Sequence, residues 1–396
     1  MKKVVLAFSG GLDTSFCVPY LKNEKGYEVH TILVNTGGFS EEEAGKIGER
    51  ALSLGAKTHT TVDAVETYYN KGIKYLIFGN VLKNSTYPLS VSSERVFQAL
   101  EVLKHVKELG ADCVAHGSTG AGNDQVRFDL VFEVLAPEVE IIAPIRELQL
   151  SRKEEIDYLV EKGFDFSWEK SKYSINQGIW GTSVGGVETL SSNGYLPDEA
   201  YPHQITKEGE EKVSIEFKNG EPVALNGQKM EPVALIHALA EIANGYGVGR
   251  DIHIGDTIIG IKGRVGFEAA APLILVKAHH LLEKHVLVKE QLYWKELIGN
   301  YYGQLMHEAQ YLNPVMRDME KFLESTQESV NGTVEVLLRP RNFFVLGCTS
   351  KYDLMSSKFG EYGEMNKSYT GRDVVGFTKV LANPLKIFYS LHKEEK

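Results

Sequence analysis

Residues 4–15 of this 396-residue chain, VVLAFSGGLDTS, decide its fold. The apolar run at residues 4–8 predicts a strand that is buried on both faces, and the residues after the glycines predict a helix that runs to Leu21. Gly10 and Gly11 let the backbone approach a ligand closely, while the amides that follow lie at the positive end of the helix dipole. This loop therefore predicts a binding site for several negatively charged oxygen atoms.

The loop differs from two common phosphate-binding motifs. It is not a Walker A loop, because no lysine precedes Thr14 or Ser15 and the glycine spacing is different. The GxGxxG pattern of dinucleotide-binding folds is also absent from this turn. The hydroxyl groups of Ser9, Thr14 and Ser15 instead add hydrogen-bond donors to the backbone amides.

Strand and helix patterns alternate over the first third of the chain. Strands are predicted at residues 27–34, 57–62, 112–115 and 139–143, and helices at residues 40–54, 96–110 and 123–135. This alternation is typical of the α/β class, in which a parallel sheet carries helices on both faces. We therefore predict a nucleotide-binding domain over residues 1–165.

The pattern changes after about residue 165. Hairpins are predicted at residues 213–225 and 334–346, and helices at residues 232–243 and 292–324. These elements predict a mixed α+β domain over residues 166–369. From Thr370 the sequence predicts a helix with one apolar face, which Pro384 should break or kink. We expect residues 370–396 to form a helical arm that serves oligomerisation.

The composition excludes several classes of protein. With 43% hydrophobic and 24% charged residues the chain resembles an ordinary globular protein, and no apolar run approaches the ~18–20 residues of a membrane span. The net charge of −10 argues against a nucleic-acid partner, and three widely spaced cysteines predict neither disulfides nor a zinc site. The first residues, MKKVVLAF, imitate a signal peptide but lack its cleavage site, so we expect a cytoplasmic protein.

A second motif, HGSTGAGNDQVRF, occupies residues 116–128. Its first residues end a predicted strand, at the edge of the sheet where open α/β folds bind ligands. Asn123 and Arg127 are four residues apart and share a helix face. Because an arginine in the first helical turn opposes the helix dipole, a bound anion would relieve the conflict.

These motifs resemble those of a known enzyme family. SGGLDTS is the signature of the PP-loop ATP pyrophosphatases, and the order of five motifs resembles the argininosuccinate synthase family. These are AFSGGLDTS, HGSTGAGNDQVRF, the YS pair at residues 173–174, GVGR at residues 247–250 and GFTKV at residues 376–380. The resemblance implies an adenine nucleotide alpha-hydrolase-like domain, a synthetase domain, a tetramer and a role in arginine biosynthesis. It also implies a C–N ligase that condenses citrulline with aspartate through a citrullyl-adenylate, releasing AMP and pyrophosphate.

The resemblance also assigns roles to particular residues. ATP would contact Ala7, Phe8, Ser9, Gly10, Gly11, Leu12, Asp13, Thr14, Ser15, Val34 and Gly117. Aspartate would contact Thr119, Asn123 and Asp124, and citrulline would contact Tyr87, Ser92, Asn123, Arg127, Ser174 and Ser183. Mg²⁺ on the phosphates is implied because the loop lacks enough cationic side chains, and Asp13 would orient the ion or its waters. No motif of the chain predicts a protein metal site, and no general base is identified.

Three positions depart from the family pattern. Asn176 replaces an aspartate, while Gly255 and Phe267 replace a glutamate and a tyrosine near the amino-acid end of citrulline. A desolvated ammonium without a carboxylate partner costs on the order of several kcal/mol. Either Glu268 or Glu188 compensates, or the substrate is a citrulline whose α-nitrogen is acylated. In the second case Gly255 would make room for the acyl group and Phe267 would pack on it.

Two more distant alternatives use the same loop. A tRNA-thiolating enzyme would need paired reactive cysteines and a basic surface, and the sequence has neither. A non-catalytic nucleotide-binding module would need only the first domain and would leave residues 119–127 without a role.

Overall fold

The computed structural model describes residues 1–164, 166, 172–356, 360 and 362–392. An N-terminal parallel sheet flanked by helices precedes antiparallel sheets with their own helices, and a helical arm follows. The predicted α/β class is therefore confirmed. The predicted domain boundaries stay predictions, since residue 165 at the first boundary and residues 393–396 of the arm lie outside the described residues.

Parallel strands form the N-terminal sheet. They are β1 (Lys3–Ala7), β2 (Glu28–Asn35), β3 (Thr58–Asp63), β4 (Cys113–Ala115) and β5 (Glu140–Ile142). Their order is β3-β2-β1-β4-β5, with the first strand in the middle. The residues of β1 are almost entirely buried, as the continuous apolar run predicted, because helices cover both faces of the sheet.

The helices of this domain include the four that the sequence predicted. They are α1 (Leu12–Asn23), α2 (Glu41–Ser53), α3 (Val65–Tyr68), α4 (Lys74–Phe78), α5 (Glu94–Leu109), α6 (Asp124–Leu135), α7 (Pro144–Leu148) and α8 (Arg152–Glu161). A π-helical turn, Tyr69–Ile73, joins α3 to α4. Ser40 and Glu43 form the predicted capping box at the start of α2, with the Ser40 amide donating to Glu43 Oε2 at 2.8 Å.

Antiparallel strands build the second domain. They are β6 (Ser174–Gly178), β7 (Gly181–Gly185), β8 (Glu211–Lys218), β9 (Glu221–Leu225), β10 (Gln228–Lys229), β11 (Arg250–Asp256), β12 (Lys262–Glu268), β13 (Gly332–Arg339) and β14 (Asn342–Thr349). One sheet has the order β10-β9-β8-β13-β14 and the other β11-β12-β7-β6. Both predicted hairpins are confirmed, and Asn219 and Gly220 both adopt positive φ in the first.

The helices of the second domain correct one prediction. They are α9 (Pro232–Asn244), α10 (Ala270–Val286), α11 (Lys289–His307) and α12 (Pro314–Thr326). The single helix predicted over residues 292–324 is wrong, because the chain leaves the helix after His307 and starts a new one at Pro314. The chain turns out of the helix at Ala309, which has a φ of +60°, and Asn313 caps the new helix by accepting a hydrogen bond from the Val315 amide at 3.2 Å.

The C-terminal arm consists of α13 (Gly371–Leu381) and α14 (Asn383–Leu391). The break falls at Ala382, two residues before Pro384, as predicted. None of the residues in these two helices is buried, and several large apolar side chains are more than half exposed. These side chains are Val375, Phe377, Val380, Leu381, Leu385, Ile387, Phe388, Tyr389 and Leu391.

Candidate active site

A cleft of about 970 Å³ lies between the carboxyl edge of the parallel sheet and the sheet that contains β6, β7, β11 and β12. Parallel strands present their carboxyl ends at one edge, so the segments after β1, β2 and β4 meet there. The predicted site residues that line this cleft are Ala7, Phe8, Ser9, Gly11, Leu12, Asp13, Thr14, Val34, Tyr87, Ser92, Gly117, Thr119, Asn123, Asp124, Arg127, Ser174 and Ser183. Residues that the sequence distributes over some 180 positions therefore share one cavity.

The loop between β1 and α1 leaves backbone amides available to a ligand. Gly11 precedes α1 in an extended conformation, and no side chain of the described residues caps the helix. The first amides of α1 therefore lack partners within the helix. Gly10 has a φ of +76°, which favours glycine, and its carbonyl accepts a hydrogen bond from Arg50 Nη1 at 2.7 Å. Such a terminus suits an anionic ligand.

Gly10 and Ser15 differ from the other loop residues. Neither lines the cleft. Gly10 shapes the turn, because a Cβ at this position would stand 3.0 Å from the Ile47 side chain. Ser15 is completely buried, and its hydroxyl has no hydrogen-bond partner within the described part of the chain. The hydroxyl that the sequence suggested as a ligand donor therefore lies beneath the loop.

Asp13 faces a carboxyl group that the sequence did not single out. Glu155, in the first turn of α8, is only 3% exposed. Burial raises the pKa of Asp13, and burial together with the charge of Asp13 raises the pKa of Glu155 to about 8. Two interacting carboxyl groups ionise together only at a high cost, so at pH 7 the pair holds one proton.

The second motif supplies the opposite wall of the cleft. His116 Nε2 lies 2.8 Å from Asp129 Oδ1, and Asp129 also accepts a hydrogen bond from Arg146 at 2.5 Å. Asn123 Oδ1 accepts a hydrogen bond from the Ile258 amide at 2.8 Å, which ties the start of α6 to the second domain. This contact fixes the two walls of the cleft relative to each other.

Asp124 lies between two arginines. Arg127 Nη1 donates to Asp124 Oδ1 at 2.7 Å, and Arg95 Nε donates to Asp124 Oδ2 at 3.0 Å. Burial raises the pKa of Asp124, but the two guanidinium groups outweigh it and leave the pKa at about 2. Arg127 Nε also donates to the His307 carbonyl at 3.1 Å. The sequence suggested that a bound anion balances the charge of Arg127. In the structure Asp124 already balances it.

Arg95 and Glu94 are cleft residues that sequence reasoning missed. Arg95 Nη1 donates to Glu94 Oε1 at 2.5 Å, and Thr36 Oγ1 donates to Glu94 Oε2 at 2.7 Å. Glu94 is 1% exposed, and burial raises its pKa to about 7 although Arg95 lowers it. These residues belong to α5, where the helical pattern shows which face is apolar but not which polar group meets a residue 29 positions away.

Phe267, Glu268 and Glu188, which the sequence offered at the departing positions, do not line the cleft. Phe267 is completely buried and packs on the ring of Tyr87, with 5.4 Å between centroids, so it cannot cover a substrate. Glu268 is also buried and contacts His203 at 3.0 Å, while Glu188 accepts a hydrogen bond from Tyr173 at 3.3 Å. Neither glutamate lines the cleft.

Gly255 and Asn176 do line the cleft, together with His253 and His307. The two histidines are buried, and the pKa of each is lowered, to about 4 and about 2, chiefly because burial disfavours the charged ring. The sequence offered no signal for them, since neither belongs to a metal-binding or catalytic spacing.

The described ranges contain neither a cluster of metal ligands nor a membrane-spanning helix. Within the described ranges, no cluster of three or more His, Cys, Asp or Glu side chains has the arrangement of a metal site. No helix in the same ranges combines the length and the apolar character needed to cross a bilayer.

Comparisons with known proteins cover nearly the whole chain. The model of the arginosuccinate synthase N-terminal HUP domain matches residues 3–165, and the model of the arginosuccinate synthase C-terminal domain matches residues 173–388. Argininosuccinate synthase of Methanocaldococcus jannaschii is 41% identical over 378 residues, which cover 95% of each chain. Argininosuccinate synthase of Xanthomonas campestris is 36% identical over 404 residues, which cover 99% of each chain.

Proposed function

Because the chain belongs to the argininosuccinate synthase family, we propose that it condenses citrulline with aspartate while ATP is cleaved to AMP and pyrophosphate. The observation that carries this proposal is the single cleft that joins the loop after β1 to the cluster of Arg95, Asp124 and Arg127. A ligase of this kind must hold a nucleotide, an acceptor and an amine donor in contact, and the cleft has walls of suitable chemistry for all three.

The nucleotide occupies the loop end of the cleft. The free amides at the start of α1 and the hydroxyl groups of Ser9 and Thr14 bind phosphate oxygens. Gly117 allows the close approach of this loop, because a Cβ there would stand 3.2 Å from the Thr14 amide nitrogen. Val34, at the end of β2, contacts the adenine through its backbone.

The ureido oxygen of citrulline attacks the α-phosphorus, and pyrophosphate leaves. The resulting adenylate activates the ureido carbon, and the amine of aspartate then displaces AMP from that carbon. Arg127 binds the citrulline carboxylate, while Thr119, Asn123 and Asp124 bind aspartate. Tyr87, Ser92, Ser174 and Ser183 line the part of the cleft assigned to citrulline. Positioning and charge stabilisation supply the rate enhancement, without an assigned general base.

We propose that Mg²⁺ binds together with ATP. When bound, the ion neutralises charge on the phosphates and stabilises the leaving pyrophosphate. The carboxyl groups of Asp13 and Glu155, with a single proton at pH 7, provide one carboxylate beside the phosphate loop. That donor set fits Mg²⁺, which commonly uses one or two carboxylates together with substrate phosphates and water.

We also propose a homotetramer in the cytoplasm. The exposed apolar side chains of α13 and α14 need a surface to cover, which supports assembly through the arm. The thiols of Cys17, Cys113 and Cys348 are unpaired, as a reducing compartment allows.

The alternative functions receive less support than argininosuccinate synthesis. A tRNA-thiolating enzyme needs accessible thiolates, whereas Cys17 and Cys113 are buried and burial raises the pKa of both. A nucleotide-binding module without catalysis does not account for a family match over residues 173–388. The named relatives also favour citrulline itself over an acylated derivative.

Measuring pyrophosphate release tests the proposal. The protein is incubated with ATP and Mg²⁺, with citrulline and aspartate together or each alone, and argininosuccinate is identified by mass. We expect AMP, pyrophosphate and argininosuccinate in equal amounts only when both amino acids are present. Nα-acetylcitrulline and Nα-succinylcitrulline serve as parallel substrates, and a preference for either over citrulline would contradict the proposed acceptor.

A further inference from the structure

Asn123 stands at the start of α6 without capping it. An asparagine at this position ordinarily accepts a hydrogen bond from an amide of the first helical turn. Here the Asn123 side chain makes no such bond, and its Oδ1 instead accepts a hydrogen bond from the Ile258 amide, 135 positions away in the chain, at 2.8 Å. The first amides of α6 are therefore left without a partner in the helix.

The contact with Ile258 fixes the orientation of the Asn123 carboxamide. A backbone amide can only donate a hydrogen bond, so the carboxamide oxygen must face Ile258 and Nδ2 must face away from it. Nδ2 makes no hydrogen bond within the described part of the chain, and Asn123 lines the cleft, as do Thr119 and Asp124. Nδ2 and the free amides of α6 are therefore donors available to a carboxylate.

The Ile258 amide lies at the tip of the hairpin formed by β11 and β12. The Gly260 amide donates to the Thr257 carbonyl at 2.9 Å, which closes a β-turn with Ile258 at its second position. Thr257 Oγ1 donates to the Ile261 carbonyl at 2.8 Å and accepts a hydrogen bond from the Ile261 amide at 3.0 Å. These contacts hold the tip in one shape. The turn itself does not use the Ile258 amide, which is why this amide can bind Asn123.

We infer that the Ile258 amide is a positioning group for the aspartate substrate, an inference that rests on the proposed function. By binding Oδ1, it keeps the Asn123 carboxamide from capping α6. Nδ2 and the first amides of α6 then remain free to bind a carboxylate of aspartate. Because the hairpin belongs to the second domain and Asn123 to the first, the aspartate site is complete only when the hairpin tip contacts α6.

The test removes the amide and keeps the turn. Ile258→Pro does so, since proline is favoured at the second position of a β-turn, and Ile258→Ala is the matched control that keeps the amide. The KM for aspartate is measured from pyrophosphate release with ATP and citrulline at saturation. It should be about three- to tenfold higher in the proline variant than in the alanine variant, the usual effect of losing one hydrogen bond. The KM for ATP, which binds at the other end of the cleft, should change less than about twofold.

A double-mutant cycle with Asn123→Ala separates positioning from a merely structural role. Once the carboxamide is absent, adding Ile258→Pro should change the KM for aspartate less than about twofold, because the bond it removes no longer exists. An equal KM in the proline and alanine variants would overturn the inference. An equal rise with and without the Asn123 carboxamide would overturn it as well.

Thr257→Val decides the question if circular dichroism shows that the proline variant is poorly folded. It loses both hydrogen bonds of the Thr257 hydroxyl and loosens the tip, while every backbone amide remains. The KM for aspartate should rise in the same direction, and an unchanged KM would then overturn the inference. If the unaltered protein releases no pyrophosphate with citrulline and aspartate, the proposed function itself is wrong, and this inference fails with it.

Discussion

Arg95→Met should destabilise the protein by an amount that depends on pH. Arg95 donates to Asp124, Glu94 and Gln98, at 3.0, 2.5 and 3.1 Å. Methionine preserves much of the side-chain volume but none of these hydrogen bonds. Breaking a buried ion pair costs about 3–5 kcal/mol when the remaining charge stays buried. Here the cost has an upper limit, because Glu94 has a pKa of about 7 and escapes the penalty by binding a proton.

The sign of the pH dependence follows from the pKa of Glu94. Because this pKa is raised above the ordinary 4.5, stability falls as the pH rises from 4.5 and levels off above about 7. Without Arg95 the pKa rises further, so stability continues to fall above pH 7 by up to about 1.4 kcal/mol per pH unit. Asp124 contributes no such slope, since its pKa of about 2 affects stability only in acid.

Urea unfolding at several pH values measures this effect. We expect Arg95→Met to lower the free energy of unfolding by about 1–3 kcal/mol near pH 6, where Glu94 can bind a proton and Asp124 keeps its ion pair with Arg127. Near pH 9 the loss should be larger by about 1–3 kcal/mol. Adding Glu94→Gln to Arg95→Met should abolish this growth with pH. A loss that is equal at both pH values would refute the reasoning, because Glu94 would then not depend on Arg95 for its charge.

Four further predictions concern the half-reactions and the arm. Asp13→Ala should abolish ATP–pyrophosphate exchange with unchanged circular dichroism, because Asp13 lies beside the phosphates; normal exchange would remove it from the mechanism. Arg127→Leu should slow the citrulline-dependent first step at least tenfold, since a charge-assisted contact contributes about 1.5–3 kcal/mol. Asp124→Ala should instead raise the KM for aspartate. Single-turnover kinetics separate the two steps. Truncation after residue 369 should reduce the oligomer seen by sedimentation, because it removes the exposed apolar face of α13 and α14; an unchanged oligomer would place the subunit interface elsewhere.

The fold class and the chemistry of the loop can be predicted from short stretches of the sequence. A buried strand, two glycines and a helix start within residues 4–15 specify a phosphate-binding turn, because each property is local to the chain. Apolar periodicity likewise predicted the alternation of strands and helices, and Pro384 itself predicted the break before it. The helix predicted over residues 292–324 was wrong because the chain leaves the helical conformation at Ala309, with a φ of +60°, and apolar periodicity does not report such a turn.

The contacts between polar groups depend on how distant elements pack together. Arg95 reaches Asp124 across 29 residues, and Glu155 approaches Asp13 from a helix more than a hundred residues away. His253 enters the cleft because Gly255 leaves space two residues farther along the same strand. Hydrophobic periodicity reports which face of an element is buried, since burial depends on the side chain itself. It does not report the partner of a polar group, because that depends on how distant elements pack, and the pKa values in the cleft follow from those partners.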